Sequence, residues 1–283
     1  MTTTSPLRFG VVGNPIKHSR SPSIHEAFAA QTGIALHYER ILAPLDAFDH
    51  TCHDFFQQGG SGLNITVPFK EQAYTLAQDH LTTRGRLAGA VNTLWMEDGH
   101  IHGCNTDGEG LLNDLRRLGH DPAGKQVLLV GAGGAARGAV FPLLDAGCAR
   151  LRIINRSPDR ATQLLDHVLE QLPEFAARLT AGGLSQAQGP WDIVINATSS
   201  SLGGSPPDLP AGLYTPDALA YDMMYASQDT PFMTQAKAQG AASVADGLGM
   251  LVGQAAASFA IWHGLRPDMT PVLQALRGSA SYT

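Results

Sequence analysis

Basic residues are scarce in this chain, and charge of either sign is sparse. Nineteen lysines and arginines stand against 25 acidic residues, a formal charge of −6, and only 16% of the 283 residues are charged. That balance offers no cationic surface for nucleic acid or for an anionic membrane. Cysteine is scarcer still: Cys52, Cys104 and Cys148 are widely spaced and odd in number, which implies no disulfide framework. No apolar run is long enough for a bilayer; the longest, Gly249 to Trp262, is interrupted by Gln254 and Ser258. The start, Met1-Thr2-Thr3-Thr4-Ser5-Pro6, lacks the basic residues and apolar stretch of a signal peptide. A cytoplasmic protein is expected, with no membrane or nucleic-acid partner. Eleven histidines invite a metal. Yet the close pairs, His50/His53 and His100/His102, form no known ligand spacing with carboxylates or cysteines, and no metal is expected.

Glycine, by contrast, is plentiful. The segment Gly131-Ala132-Gly133-Gly134-Ala135-Ala136 follows the apolar run Gln126–Val130 and leads into a helical pattern. In a G-x-G-x-x-A loop the first glycine permits the tight turn, and the second lets the backbone approach a pyrophosphate. The small sixth residue lets helix and strand pack closely. The next strand, Leu151–Ile154, ends in Asn155-Arg156. At that place a carboxylate suits a free ribose 2′-hydroxyl and an arginine suits a 2′-phosphate, so the expected cofactor is NADP. The alternative is a glycine-rich turn with no ligand. It leaves the preceding strand, the following helix, the spacing to the next strand and the arginine unexplained.

Strand-like runs at Arg8–Val12, His37–Leu42, Gly62–Val67 and Thr93–Met96 alternate with helical patterns over residues 23–30, 45–57 and 69–77. Asp98-Gly99 turns a hairpin onto His100-Ile101-His102. A helix follows from Asp107 to Leu118. A β-α-β region comes next, with strands at Val127–Val130, Leu151–Ile154, Asp192–Ile195 and Leu219–Asp222 and a last one at residues 242–244. Gly247 to Arg277 reads as helical, and Ser199–Pro210 as the mobile loop. The fold class is α/β with two domains: an N-terminal α/β substrate domain, then a Rossmann-type, doubly wound parallel-sheet NADP domain.

Several polar residues stand out against this frame. Pro68 suits the first position of a helix, which places Lys70 in the first turn, where the helix dipole disfavours a cation. That broken local rule suits an acid–base role; a surface lysine paired with Glu71 explains it equally well. Thr106 with Glu109 fits a capping box, which leaves Asp107 at a helix N-terminus with no capping duty. A plain helix start and one half of a proton-transfer pair are both open for Asp107. Ser21 before Pro22 reads as an N-cap, which leaves Ser19 unexplained; two hydroxyls there make a fair carboxylate site. Asn92 at a strand start has a turn role by default. Gln254, among small apolar neighbours, either satisfies backbone groups or faces a hydroxyl in a cleft.

Together these segments resemble the shikimate dehydrogenase family over essentially the whole chain. They run in order: Gly13-Asn14-Pro15 with His18-Ser19-x-Ser21-Pro22, Asn64-x-Thr66-x-Pro68-x-Lys70, Gly89-Ala90-x-Asn92-Thr93, and Asn105-Thr106-Asp107-Gly108. After the glycine loop come Asn155-Arg156, Asn196-Ala197-Thr198-Ser199, Tyr221-Asp222-Met223 and Asp246-Gly247-Leu248-Gly249-Met250-Leu251. The resemblance implies reversible, NADPH-dependent reduction of 3-dehydroshikimate to shikimate, in chorismate and aromatic amino acid biosynthesis. It implies Lys70 and Asp107 as the catalytic acid–base pair. Ser19 and Ser21, helped by Tyr225, would hold the substrate carboxylate, and Thr66, Asn92 and Gln254 the ring hydroxyls. For the cofactor it implies Gly131, Ala132, Gly133, Gly134 and Ala135, with Asn155, Arg156, Ser157 and Arg160 at the 2′-phosphate. Thr198, Met223 and Gly247 complete that set. It also implies a substrate domain of residues 1–106 plus 243–283 around an NADP domain of residues 107–242, as a monomer or homodimer. Two positions depart from the family pattern: Ser157, where threonine is frequent, and Ser201-Leu202, where a glycine is common. The rival readings are a relative that accepts quinate or NAD, and a non-catalytic NADP-binding regulator.

Overall fold

A computed structural model of the chain describes residues 6–198, 200 and 204–278. They fall into two units. The first runs to Asp107 and resumes over Val252–Leu276; the second covers Gly108–Leu251 and resumes at Arg277.

The first unit is built on a five-stranded sheet. β1 (Leu7–Gly13), β2 (Leu36–Leu42) and β3 (Gly60–Ile65) run parallel, and the hairpin of β4 (Thr93–Glu97) and β5 (His100–Cys104) is antiparallel to β3, in the order β2-β1-β3-β4-β5. Asp98 and Gly99 take the positive φ values (50° and 80°) that a tight hairpin turn requires. The helices are α1 (Ser21–Thr32), α2 (Phe48–Gln57), α3 (Lys70–Leu76) and α4 (Thr83–Ala88). Val12, Leu63 and Ile65 pack against Phe48, Phe55 and Phe69 on one side of the sheet. On the other, Phe9, Val11 and Tyr38 meet Trp262.

The second unit opens along α5 (Asp107–Arg117) and carries six parallel strands: β6 (Gln126–Val130), β7 (Arg150–Asn155), β8 (Leu179–Gly183), β9 (Trp191–Asn196), β10 (Tyr214–Asp222) and β11 (Ser243–Asp246). Their order, β11-β10-β9-β6-β7-β8, is the doubly wound arrangement, with the reversal between β6 and β9. The helices are α6 (Gly134–Asp145), α7 (Pro158–Gln171) and α8 (Pro231–Ala238). Alternate residues of β6 serve opposite cores: Val127 and Leu129 one, Leu128 and Val130 the other. Buried on both faces, such strands read as continuous apolar runs. From Val252 the chain is back in the first unit, along α9 (Leu248–His263) and α10 (Met269–Gly278).

Two expectations are corrected here, and one strand is added. Ser243–Asp246 pairs in parallel with β10, so it belongs to the second unit, and the boundary lies at Leu251/Val252 instead of ahead of residue 243. β8, with its two glycines, carries too weak a strand signal to be anticipated. The stretch read as helical from Gly247 to Arg277 is interrupted after His263, where Gly264 adopts φ 67° and Pro267 follows.

Candidate active site

At the end of β3, the N–H of Phe69 donates to the carbonyl of Thr66 at 3.0 Å and closes a turn that contains Pro68. The helix therefore starts at Lys70, with Pro68 ahead of it and not at its first position. The Lys70 ammonium lies 2.5 Å from Oδ2 of Asp107, and the two side chains are only 14% and 5% exposed. Lys70 is thus no solvent-paired surface lysine. Oδ1 of Asp107 accepts from Nδ2 of Asn92 at 2.9 Å, and the Asp107 N–H donates to Oδ1 of Asn105 at 3.0 Å. A carboxylate held on both oxygens and at its backbone has one orientation available.

Asn92 is the centre of this arrangement. Its Oδ1 accepts from the Thr106 N–H at 2.8 Å, which fixes the amide so that Nδ2 faces Asp107, the Thr106 hydroxyl (2.9 Å) and Oε1 of Gln254 (3.1 Å). The network continues through residues that sequence reasoning did not select. Thr93 Oγ1 and Ser258 Oγ lie 2.7 Å apart, and Nδ2 of Asn64 donates to Ser258 Oγ at 3.0 Å and to the Asn92 carbonyl at 3.2 Å. Oδ1 of Asn64 then faces the Tyr38 hydroxyl at 2.7 Å and Nε2 of His25 at 3.1 Å, so both must donate. His25 is accordingly the Nε2–H tautomer, its Nδ1 is buried without a partner among the described residues, and burial pushes its pKa down to about 3. Asn64 was the legible signal: an amide inside the strand Gly62-Leu63-Asn64-Ile65, where both neighbours are apolar.

Ser21 is the first residue of α1, with Arg20 at the cap position, so it is not the N-cap expected. Ser19 supplies the oxygen instead: its Oγ accepts from the Ser21 N–H at 3.3 Å and donates to the Ser21 hydroxyl at 3.2 Å. Ser21 also hydrogen-bonds Tyr38, which ties the serine pair to Asn64. Arg40 anchors the loop by donating from Nε and Nη2 to the Ser19 carbonyl at 2.9 and 2.7 Å. Thr66 is half-buried, its methyl directed at Gly13.

In the second unit Gly131 has φ 118°, and a Cβ there would lie 3.2 Å from the backbone of Ala197. A Cβ on Gly133 would meet open space. α6 begins at Gly134 with no side-chain cap among the described residues and no acidic residue in its first turn. A loop of this form accepts a pyrophosphate.

Three family descriptions match the chain: "Shikimate dehydrogenase substrate binding domain" over residues 11–94, "Shikimate / quinate 5-dehydrogenase" over 115–203, and "Shikimate 5'-dehydrogenase C-terminal domain" over 247–277. The shikimate dehydrogenase (NADP(+)) of Bordetella avium is 61% identical over 280 residues, covering 99% of this chain and 98% of its own. The chain belongs to the shikimate dehydrogenase family. Among solved structures, an enzyme of Pseudomonas putida named Ael1 is 43% identical with a TM-score of 0.86, covering 97% of this chain and 100% of its own. The shikimate 5-dehydrogenase of Thermus thermophilus, solved in complex with NADP(H) and shikimate, is 33% identical with a TM-score of 0.83, covering 96% and 98%.

The other residues singled out in this shikimate dehydrogenase chain lie at further strand ends of the second sheet. Asn155 donates from Nδ2 to the Ser157 carbonyl at 3.0 Å, shaping a turn that leaves Arg156, Ser157 and Arg160 exposed. Thr198 donates its N–H and hydroxyl to Oδ1 of Asn196 at 3.1 and 2.7 Å. The Met223 N–H donates to the Asn196 carbonyl at 2.9 Å, and Tyr225 is half-buried two residues on. Gly247 packs so tightly on the Met223 carbonyl that a Cβ would lie 2.1 Å from its oxygen. Ser199, Ser201, Leu202 and Gly203 of the loop expected to be mobile lie outside the described residues. Of the histidine pairs, His50 sits 3.2 Å from Asp54, and His100 stacks on His80 at 4.4 Å.

Proposed function

We propose that this chain catalyses the reversible, NADPH-dependent reduction of 3-dehydroshikimate to shikimate, and that the residues named above carry it. The observation that supports this most directly is the largely buried Lys70–Asp107 pair, with Asn92 oriented onto it. NADPH, when bound, would supply the hydride. Lys70 and Asp107, 2.5 Å apart, hold and move the proton on the C3 oxygen of the substrate. Ser19 and Ser21, with Tyr225, hold the carboxylate by neutral donors. Thr66, Asn92 and Gln254 hold the ring hydroxyls. The glycine loop from Gly131 to Ala135 takes the pyrophosphate. Arg156, with Asn155, Ser157 and Arg160, takes the 2′-phosphate through charge-assisted bonds. Thr198, Met223 and Gly247 line the redox half.

The test is the initial rate of nicotinamide reduction with shikimate or quinate, each offered with NADP⁺ or NAD⁺. Turnover confined to shikimate with NADP⁺ is expected. Comparable rates with quinate or NAD⁺ would place the chain among broader relatives, and no turnover in any combination would indicate a non-catalytic cofactor-binding protein.

A further inference from the structure

The order β11-β10-β9-β6-β7-β8 divides a bound dinucleotide into two halves. With the pyrophosphate at the loop after β6 and the adenosine phosphate at Arg156 after β7, the redox half extends over the ends of β9 and β10. One buried carboxylate joins those two strand ends. Asp222, the last residue of β10, is 0% exposed. Its Oδ1 accepts from Nδ2 of Asn196, the last residue of β9, at 3.1 Å and from the Met224 N–H at 3.0 Å. Its Oδ2 accepts from the Thr230 hydroxyl at 2.6 Å, and that hydroxyl in turn accepts from the Met233 N–H at 3.2 Å as the cap of α8.

The consequence lies one bond further on. Because the Asn196 amide nitrogen is committed to Asp222, its Oδ1 is turned toward Thr198, whose N–H and hydroxyl both donate to it. The Thr198 hydroxyl then meets Ser200 at 2.7 Å. The Asp222 carboxylate thus sets the position of Thr198 through Asn196, and the start of the loop after β10 through Met224 and Thr230. We propose that Asp222 is a positioning residue for hydride transfer: it fixes Thr198 and Met223 as the bed on which the nicotinamide is oriented. The proposal rests on the function proposed above, and its test separates the two.

Asp222→Asn keeps the volume and removes the charge. Its kcat for shikimate oxidation is expected to fall about tenfold, the loss that follows one weakened charged hydrogen bond. The deuterium isotope effect on kcat in the reverse direction, with NADPH deuterated at C4, should rise, because a misoriented ring makes hydride transfer rate-limiting. Inhibition by adenosine 2′,5′-bisphosphate, which reports the Arg156 end of a folded unit, should stay within about twofold. Thr230→Val should shift kcat and the isotope effect in the same direction, and Thr230→Ser should restore both. The proposal is overturned if kcat and the isotope effect are unchanged, or if bisphosphate affinity falls in parallel with kcat. A wild-type enzyme without turnover would remove the function and the proposal together.

Discussion

Asp107 is a residue whose surroundings decide its behaviour. Its carboxylate is nearly dry, meets one cation and one amide, and has its backbone tied to Asn105. Removing one partner of such a buried pair strands the other, at a cost of about 3–5 kcal/mol where burial is complete. Lys70→Ala should therefore lower kcat by a factor on the order of 10²–10⁴ with little change in KM. A raised KM with kcat intact would make Lys70 a binding residue only. Arg156, exposed just after β7, calls for a different pattern. Arg156→Ala should raise KM for NADP⁺ about tenfold and leave KM for NAD⁺ unchanged; equal losses with both cofactors would remove the phosphate-clamp assignment. Lys70 and Asp107 stood out because each breaks or exceeds a local rule, but their local sequence left a structural reading open and the acid–base assignment came from the family resemblance. Thr93, Ser258, Tyr38 and His25 were not: each is unremarkable in its own segment, and what makes it part of the network is contact across 26 to 194 positions of chain.

Among the elements, those with long apolar runs or strong periodicity were read closely, β6, β7 and β9 above all. Those held mainly by neighbours were not. β8 is an edge strand whose sequence, Leu179-Thr180-Ala181-Gly182-Gly183, owes its extended form to pairing with β7. The helical reading across residues 264–268 failed because the apolar pattern of α9 masks a glycine and proline break. Element packing also gives two checks on stability. Gly131→Ala would place a side chain at φ 118° against Ala197, at a cost on the order of 1–3 kcal/mol. A lower melting temperature and weaker NADP⁺ binding are expected together. At Gly62 a Cβ would lie 2.6 Å from the Trp262 indole nitrogen, which donates to the Leu94 carbonyl at 3.2 Å. Gly62→Ala should lower the urea midpoint, and the loss should shrink in a Trp262→Phe background; additive losses would show that the two do not share a contact.

For the molecule as a whole, the buried histidines set a limit on the acid side. In the unfolded chain His25 takes a proton near pH 6.5; in the native protein it does so only near pH 3. Burial lowers His263 and His120 in the same direction. Between those values the unfolded state binds more protons, so stability is complete above about pH 6.5 and is lost as pH falls. His25 alone contributes a slope of about 1.4 kcal/mol per pH unit. Urea unfolding between pH 7 and pH 4 measures this directly, and a slope unchanged by His25→Phe would dismiss the residue as its source.

The discontinuous first unit carries a further consequence, for synthesis. Its sheet, residues 7–104, leaves the ribosome early, yet Trp262 covers Phe9 at a ring separation of 4.7 Å, and Gln254 and Ser258 join Asn92 and Thr93. Translation proceeds at roughly 5–20 residues per second. The nascent sheet therefore waits on the order of ten seconds, one face and its polar cluster uncovered, while the whole second unit is made. The part of the enzyme that is born first is finished last.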